Sequence, residues 1–259
     1  MEESSNLSII IPGSPSRGRR EVQITPPGPP SLNVVNYLNL LAFFLNYGAN
    51  IPLASSIDWF SARDINRYKS LLTPFEMTSL IIDLILLFQG TFAIAQMMPS
   101  FRNSDLVQRG VGCWYISASV CQLCLVLGYA NIFNALFSTF FMGAFLVILL
   151  QIVKRQTDVS ALDGNAQTVE AFWLLKFPFL LQTGWVIFLF IWGVNILLTF
   201  TVNYLWFKLA SFHICLICFI WVGVKMLISH KGKPNCTILL VLSWAMVSAT
   251  KIAEFAPAK

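Results

Sequence analysis

The chain has 259 residues, of which 56% are hydrophobic and only 11% are charged, and its mean hydropathy is +0.69. A soluble domain of this length could not bury so much apolar surface, and soluble domains carry about 25% charged residues. The net charge of +5 is spread over short loops and tails instead of one basic stripe, a pattern that indicates a membrane protein and argues against a nucleic-acid partner.

The first 32 residues differ in composition from the rest of the chain. They combine serine, glycine and arginine with six of the prolines, which are Pro12, Pro15, Pro26, Pro27, Pro29 and Pro30. Proline lacks the backbone N–H that helices and sheets require, so residues 1–32 are expected to form an extended or disordered tail. A partner chain could hold such a tail in place.

Apolar segments with turn residues between them fill the remainder, residues 33–255. Each is long enough to cross a hydrocarbon core of about 30 Å as a helix. The predicted spans are 33–54, 74–98, 110–128, 131–153, 171–200, 203–228 and 235–254. The predicted fold is therefore an all-α transmembrane helical bundle. Most lysines and arginines then lie on the side of the N-terminus, which favours the cytoplasmic-equivalent side for that terminus.

Three phrases carry a resemblance to a known family. Residues 67–74 read RYKSLLTP, and the helix that follows closes on Gln96 and Pro99. Residues 178–185 fit a PFxLxxGW phrase, and residues 241–245 fit a VxxWA phrase. In order and spacing these phrases resemble the extended, tryptophan-rich relatives of the translocator (TspO/MBR) membrane proteins.

The resemblance implies a five-helix core of the TspO kind with two further helices. It also implies a non-enzymatic protein that binds a hydrophobic small molecule or lipid, for which porphyrin or chlorophyll, carotenoid and sterol are fitting classes. The sequence departs from the family's pattern in the second span, where Ile82 and Asp83 replace a usual Trp-Gly pair. Ligand contacts in this span are therefore expected to differ from those of the family.

Tryptophans are the candidate ligand-binding side chains. Trp114, Trp185 and Trp244 lie within predicted spans, where an indole could line a pocket for a flat apolar ligand. The alternative is that these rings face lipid, since tryptophan is common at the edges of membranes.

Asp83 is the candidate ionisable site residue because it lies deep in the second span. A carboxyl at that depth costs at least about 2.5–3.5 kcal/mol on insertion scales and usually faces a partner or a wet cavity. His213 lies at a similar depth in the sixth span and is the expected partner, with Lys208 as the alternative. Asp83 could serve a ligand or proton site, or it could be a neutral hydrogen-bonded group that holds helices together.

No metal site is expected. The sequence contains Cys121-x-x-Cys124 and Cys215-x-x-Cys218, but the predicted topology places the two pairs at different depths. Cysteine is also a small apolar packing residue.

Two other functions compete with ligand binding. The chain could be an accessory subunit of a larger respiratory or photosynthetic membrane complex, with its N-terminal tail wrapped around a neighbour. It could also be a proton-coupled transporter that uses Asp83. In each case it contacts membrane lipids, and organelle membranes such as the thylakoid or mitochondrial inner membrane are compatible locations.

Overall fold

The computed structural model describes residues 33–56, 79–129, 135–162, 168–201, 204–228 and 236–255. Within these ranges the chain is helical and contains no strand, so the predicted all-α bundle is confirmed. The predicted tail, residues 1–32, lies outside the described residues. The stretch 57–78, which includes the whole RYKSLLTP phrase, lies outside them as well.

Seven helices of at least 16 residues coincide with the seven predicted spans. They are α1 (Val34–Ser56), α2 (Ser79–Ala95), α3 (Trp114–Tyr129), α4 (Ala135–Leu162), α5 (Phe177–Thr201), α6 (Leu205–Ile228) and α7 (Cys236–Phe255). In the part of the chain that the structure describes, three helical stretches are long and apolar enough to cross a bilayer, namely Leu136–Leu162, Val169–Leu198 and Trp206–Lys225. The protein is an integral membrane protein.

The stretch that contains α5 is the centre of the bundle. Of its most apolar part, 67% is buried, against 39% for α4 and 22% for α6. Helix α5 contacts α2, α4, α6 and α7, while α1 packs on α2 and α3. Because α5 is surrounded by other helices, its side chains are the ones best placed to line an internal site.

A proline explains the irregular start of α5. The segment Phe172–Lys176 is π-helical and follows a short helical turn, Val169–Ala171. Pro178 has no N–H to donate to the preceding turn, and this missing bond disturbs the regular helical ladder there. The side chain of Gln156 on α4 bonds to the same stretch, since its Nε2 donates to the carbonyl of Leu175 at 2.8 Å.

Helix α4 is longer than predicted, because it ends at Leu162 and not near residue 153. The prediction stopped where apolar residues give way to Lys154 and Arg155. Helical hydrogen bonding does not depend on hydropathy, and this polar turn has its own contacts. The Arg155 guanidinium lies over the Trp114 ring at 5.1 Å from the ring centre.

The outer surface carries many large apolar side chains, as a bilayer requires. On α1 the exposed face contains Tyr37, Leu41, Phe44 and Leu45. The inner face of the same helix is polar, and its buried asparagines are Asn36, Asn39, Asn46 and Asn50. This arrangement is the reverse of a soluble amphipathic helix, since lipid is the solvent and polar groups pair inside.

Candidate functional site

A cavity of about 100 Å³ lies between α1, α2, α3, α4 and α5 and is partly open to the outside. Its lining is mostly apolar. The lining side chains are Asn50, Ile82, Ile85, Leu86, Gln122, Leu125, Met142, Phe145, Gln182, Trp185, Val186, Leu189 and Trp192. None of these residues is charged. The arrangement can therefore enclose an apolar molecule and offer it a few hydrogen bonds.

Helix α5 supplies the largest part of the wall. Gln182, Trp185, Leu189 and Trp192 recur at spacings of three and four residues, which places them along one helix face. Trp185 is 4% exposed and stacks on Phe188 with ring centres 5.3 Å apart. The Trp185 ring is thus held rigidly at the cavity wall.

Three glutamines from three helices form a chain of side-chain amides beside the cavity. Gln89 Nε2 on α2 donates to Gln182 Oε1 on α5 at 2.6 Å. Gln182 Nε2 donates in turn to Gln122 Oε1 on α3 at 3.3 Å. Gln89 and Gln182 are buried, and Gln122 is half-buried. This series of amides reaches the cavity, because Gln122 and Gln182 both line it.

A second polar cluster joins the start of α1 to the connection between α2 and α3. Asn36 Nδ2 donates to the carbonyls of Gln96 and Arg102, both at 3.2 Å. Gln108 Nε2 donates to Asn36 Oδ1 at 2.9 Å and to the Arg102 carbonyl at 2.7 Å. Asn39 Nδ2 adds a bond to Gln96 Oε1 at 3.2 Å. The cluster fixes the position of α1, and its members do not line the cavity.

The three predicted tryptophans have three different environments. Trp185 is a cavity residue. Trp114 is half-buried beneath Arg155 near the end of α4 and is outside the cavity lining. Trp244 is 45% exposed on α7. The structure therefore brings one of the three to the cavity and supports the alternative of an outward ring for Trp244.

The expected pairing of Asp83 with His213 or Lys208 is wrong. Asp83 is exposed, and His213 is also exposed, with its Nδ1 2.7 Å from the Leu209 carbonyl of its own helix. Helix α2 packs mainly on α1 and α5, whereas α6, which carries Lys208, packs on α5 and α7.

Helical rotation explains this error. The inner face of α2 carries Ile81, Ile85, Gln89 and Phe92, and successive residues are rotated by about 100°. Asp83 therefore points outward beside Leu84. On α6 the buried stripe runs through Ser211, Cys215 and Phe219, so His213 falls on the opposite side. Both helices are apolar on every side, so the sequence contains no amphipathic pattern that would fix their inner faces.

The site residues predicted from sequence were ionisable or aromatic side chains and did not include the glutamines. A signal was present: Gln89, Gln122 and Gln182 each interrupt an otherwise apolar segment. Polar amides within spans tend to bond across helices. Their mutual bonds could not be foreseen without knowing which helices adjoin.

Among the described residues, no three side chains of the His, Cys, Asp or Glu types lie close enough to hold a metal ion. The six cysteines are unpaired, and Cys215 accepts a contact from Asn195 Nδ2 at 3.4 Å. The cavity is a site that combines an enclosed shape with polar side chains.

Comparison with known proteins gives one match. The family described as TSPO-like protein matches residues 32–251 of this chain. No curated protein and no solved structure matches it. The matched region covers α1 to α6 and most of α7, and so includes every residue of the cavity. The chain is a member of the TSPO-like protein family.

Proposed function

We propose that this protein binds a hydrophobic small molecule or lipid in the cavity that helices α1 to α5 enclose, and that it does so without catalysing a reaction. The observation that carries the proposal is the cavity itself. A ligand-binding TSPO-like protein needs an enclosed space among the second, third and fifth helices, and these three helices supply Ile82, Gln122 and Trp185 to the lining.

The chemistry of the wall supports this function. Removing apolar area from water contributes about 25 cal/mol per Å², so an apolar ligand gains affinity from the aliphatic side chains. The aromatic face of Trp185 adds a rigid surface for a flat ligand. Ile82, which replaces the family's usual aromatic residue, lines the cavity, so the departure noted in the sequence changes a ligand contact.

The other two functions lack a comparable observation. The accessory-subunit interpretation depended on the N-terminal tail, which lies outside the described residues. The proton-coupled transporter depended on an inward Asp83, whereas Asp83 is exposed. Ligand binding is therefore the function that the arrangement supports best.

The test uses the full chain purified in a mild detergent. Compounds that co-purify are extracted and identified by mass and absorbance, for the wild type, Trp185→Ala and Trp244→Ala. Truncating a buried aromatic contact typically costs at least 2 kcal/mol of binding, so Trp185→Ala should retain at least tenfold less compound. Trp244→Ala, on the outer surface, should retain as much as the wild type.

Two results would contradict the proposal. One is that no apolar compound is enriched over an unrelated membrane protein purified in parallel. The other is that Trp185→Ala and Trp244→Ala retain the compound equally well while both stay folded.

A further inference from the structure

The amide chain of Gln89, Gln182 and Gln122 has a direction. In each of its two bonds the Nε2 group of one glutamine donates to the Oε1 atom of the next, so donation runs from α2 through α5 to α3. Gln122 therefore uses its oxygen within the chain. Its Nε2 group makes no hydrogen bond to any described residue. This group is the last one in the series of three amides, and Gln122 lines the cavity.

If donation ran in the opposite direction, the atom left without a hydrogen-bond partner at buried Gln89 would cost more free energy. In the observed direction the orphaned atom of Gln89 is a carbonyl oxygen. Reversing all three amides would instead place the Gln89 NH2 group, with its two N–H donors, where the unpartnered oxygen now lies. Buried N–H groups without partners are rarer in proteins than carbonyl oxygens that lack one. The observed direction is thus the favoured one.

The other two side-chain amides at the cavity do not compete for this role. Gln182 uses both its oxygen and its nitrogen in the chain. Asn50 donates its Nδ2 to the Asn46 carbonyl at 2.7 Å, one turn earlier in its own helix. Gln122 Nε2 is therefore the side-chain amide donor that is free to meet a ligand.

We propose that the cavity selects neutral, compact apolar molecules that carry a hydrogen-bond acceptor oxygen, and that Gln122 Nε2 donates to this oxygen. The inference rests on the proposed function and names its ligand class. An uncharged lining disfavours a carboxylate, because burying an ion without a counter-charge is far costlier than burying a neutral acceptor. A ketone, ester or ether oxygen can accept a hydrogen bond from Gln122 Nε2, the amide donor that the three glutamines leave without a partner.

The experiment compares two probes of nearly equal shape, 2-acetylnaphthalene and 2-isopropylnaphthalene. The first carries a carbonyl acceptor where the second carries a methyl group. Dissociation constants are measured by equilibrium dialysis with the full chain in lipid nanodiscs, and empty nanodiscs correct for partition into lipid. Each probe is measured on the wild type and on Gln122→Met, which keeps the side-chain length but removes the donor.

The expected result is a loss confined to the ketone. The affinity for the ketone should be about fivefold lower in Gln122→Met than in the wild type, because one hydrogen bond contributes about 1 kcal/mol. The affinity for the isopropyl probe should stay within about twofold of the wild-type value. That unchanged affinity also shows that the variant is folded. Gln122→Asn, which withdraws the donor from the cavity, should repeat the loss. Gln151→Met, at an exposed position on α4, is the matched control and should leave both affinities unchanged.

The outcomes separate the two proposals. Equal effects of Gln122→Met on the two probes would overturn the role of Gln122 while leaving the cavity as a ligand site. Binding of 2-naphthoate at neutral pH as tightly as the ketone would overturn the preference for neutral ligands. If neither neutral probe binds the wild type above the empty-nanodisc level, the proposed function fails together with the inference.

Discussion

Gln156 on α4 donates from its Nε2 to the main-chain carbonyl of Leu175, 2.8 Å away, in the π-helical segment that precedes Pro178. The bond joins the two longest helical stretches of the bundle at the point where the backbone of one is irregular. Gln156 is 2% exposed, so neither water nor lipid can replace its amide there.

Removing this bond should destabilise the protein. In Gln156→Met the Leu175 carbonyl loses this bond from α4, and a hydrogen bond of this kind contributes about 0.5–1.5 kcal/mol. Thermal unfolding in detergent should therefore show a lower midpoint than for the wild type. Gln151→Met, on the exposed side of the same helix, should not shift the midpoint. Equal midpoints for the two variants would show that the bond contributes nothing.

The crossing of α5 and α7 depends on the absence of a side chain at Gly184. A Cβ atom at that position would lie 2.9 Å from Val241 Cβ and 3.3 Å from the Ile238 carbonyl oxygen. Both are firmly held atoms, so Gly184→Ala should push the helices apart at a cost of about 1–3 kcal/mol. Thermal unfolding in detergent checks this.

The control for that variant is Gly48→Ala on α1, where a Cβ atom would meet nothing within 4 Å. Alanine is the better helix former, so this change should leave stability equal or raise it by up to about 1 kcal/mol. Val241→Ala should recover part of the loss in Gly184→Ala because it removes the Val241 Cγ1 atom, which would lie 3.1 Å from the new Cβ atom. If Gly184→Ala is as stable as the wild type, the close approach is absent in the membrane.

Asn36 should be the most sensitive asparagine of α1, since its side chain bonds to three different residues of the α2–α3 connection. Asn36→Leu keeps the size but leaves the Gln96 carbonyl without this donor and Gln108 Nε2 without this acceptor. The expected cost is about 1–3 kcal/mol in unfolding, because the Gln96 carbonyl loses a buried donor while Gln108 Nε2 keeps its bond to the Arg102 carbonyl. Protease sensitivity of the connection should rise. Asn103→Leu, at an exposed position in that connection, is the control, and an equal effect there would refute the role of Asn36.

Asp83→Asn should leave both folding and ligand retention unchanged. Asp83 is exposed on α2 and does not line the cavity. Affinity for 2-acetylnaphthalene, measured from pH 6 to pH 8, should agree between the wild type and the variant to within about twofold, the size of a typical surface effect. A pH-dependent affinity that is lost in Asp83→Asn would restore this carboxyl to the site.

The sequence by itself determined the class of fold and the family. Segments of about 20 apolar residues are costly to expose to water, and only helices satisfy their backbone within one segment. This constraint is local, so the positions of the seven described helices could be predicted from residue order alone. The phrases around Pro178 and Trp244 likewise identify the family without any knowledge of which side chains touch.

Only the tertiary structure decided which face of each helix points inward. The inner and outer faces of α2 and α6 are both apolar, because lipid and protein interior are similar solvents for leucine and isoleucine. Hydrophobicity therefore could not predict that helix rotation turns Gln89 inward and leaves Asp83 exposed. The amide chain from Gln89 to Gln122 exists because three helices far apart in sequence adjoin, and the physical reason is packing, which residue order does not specify.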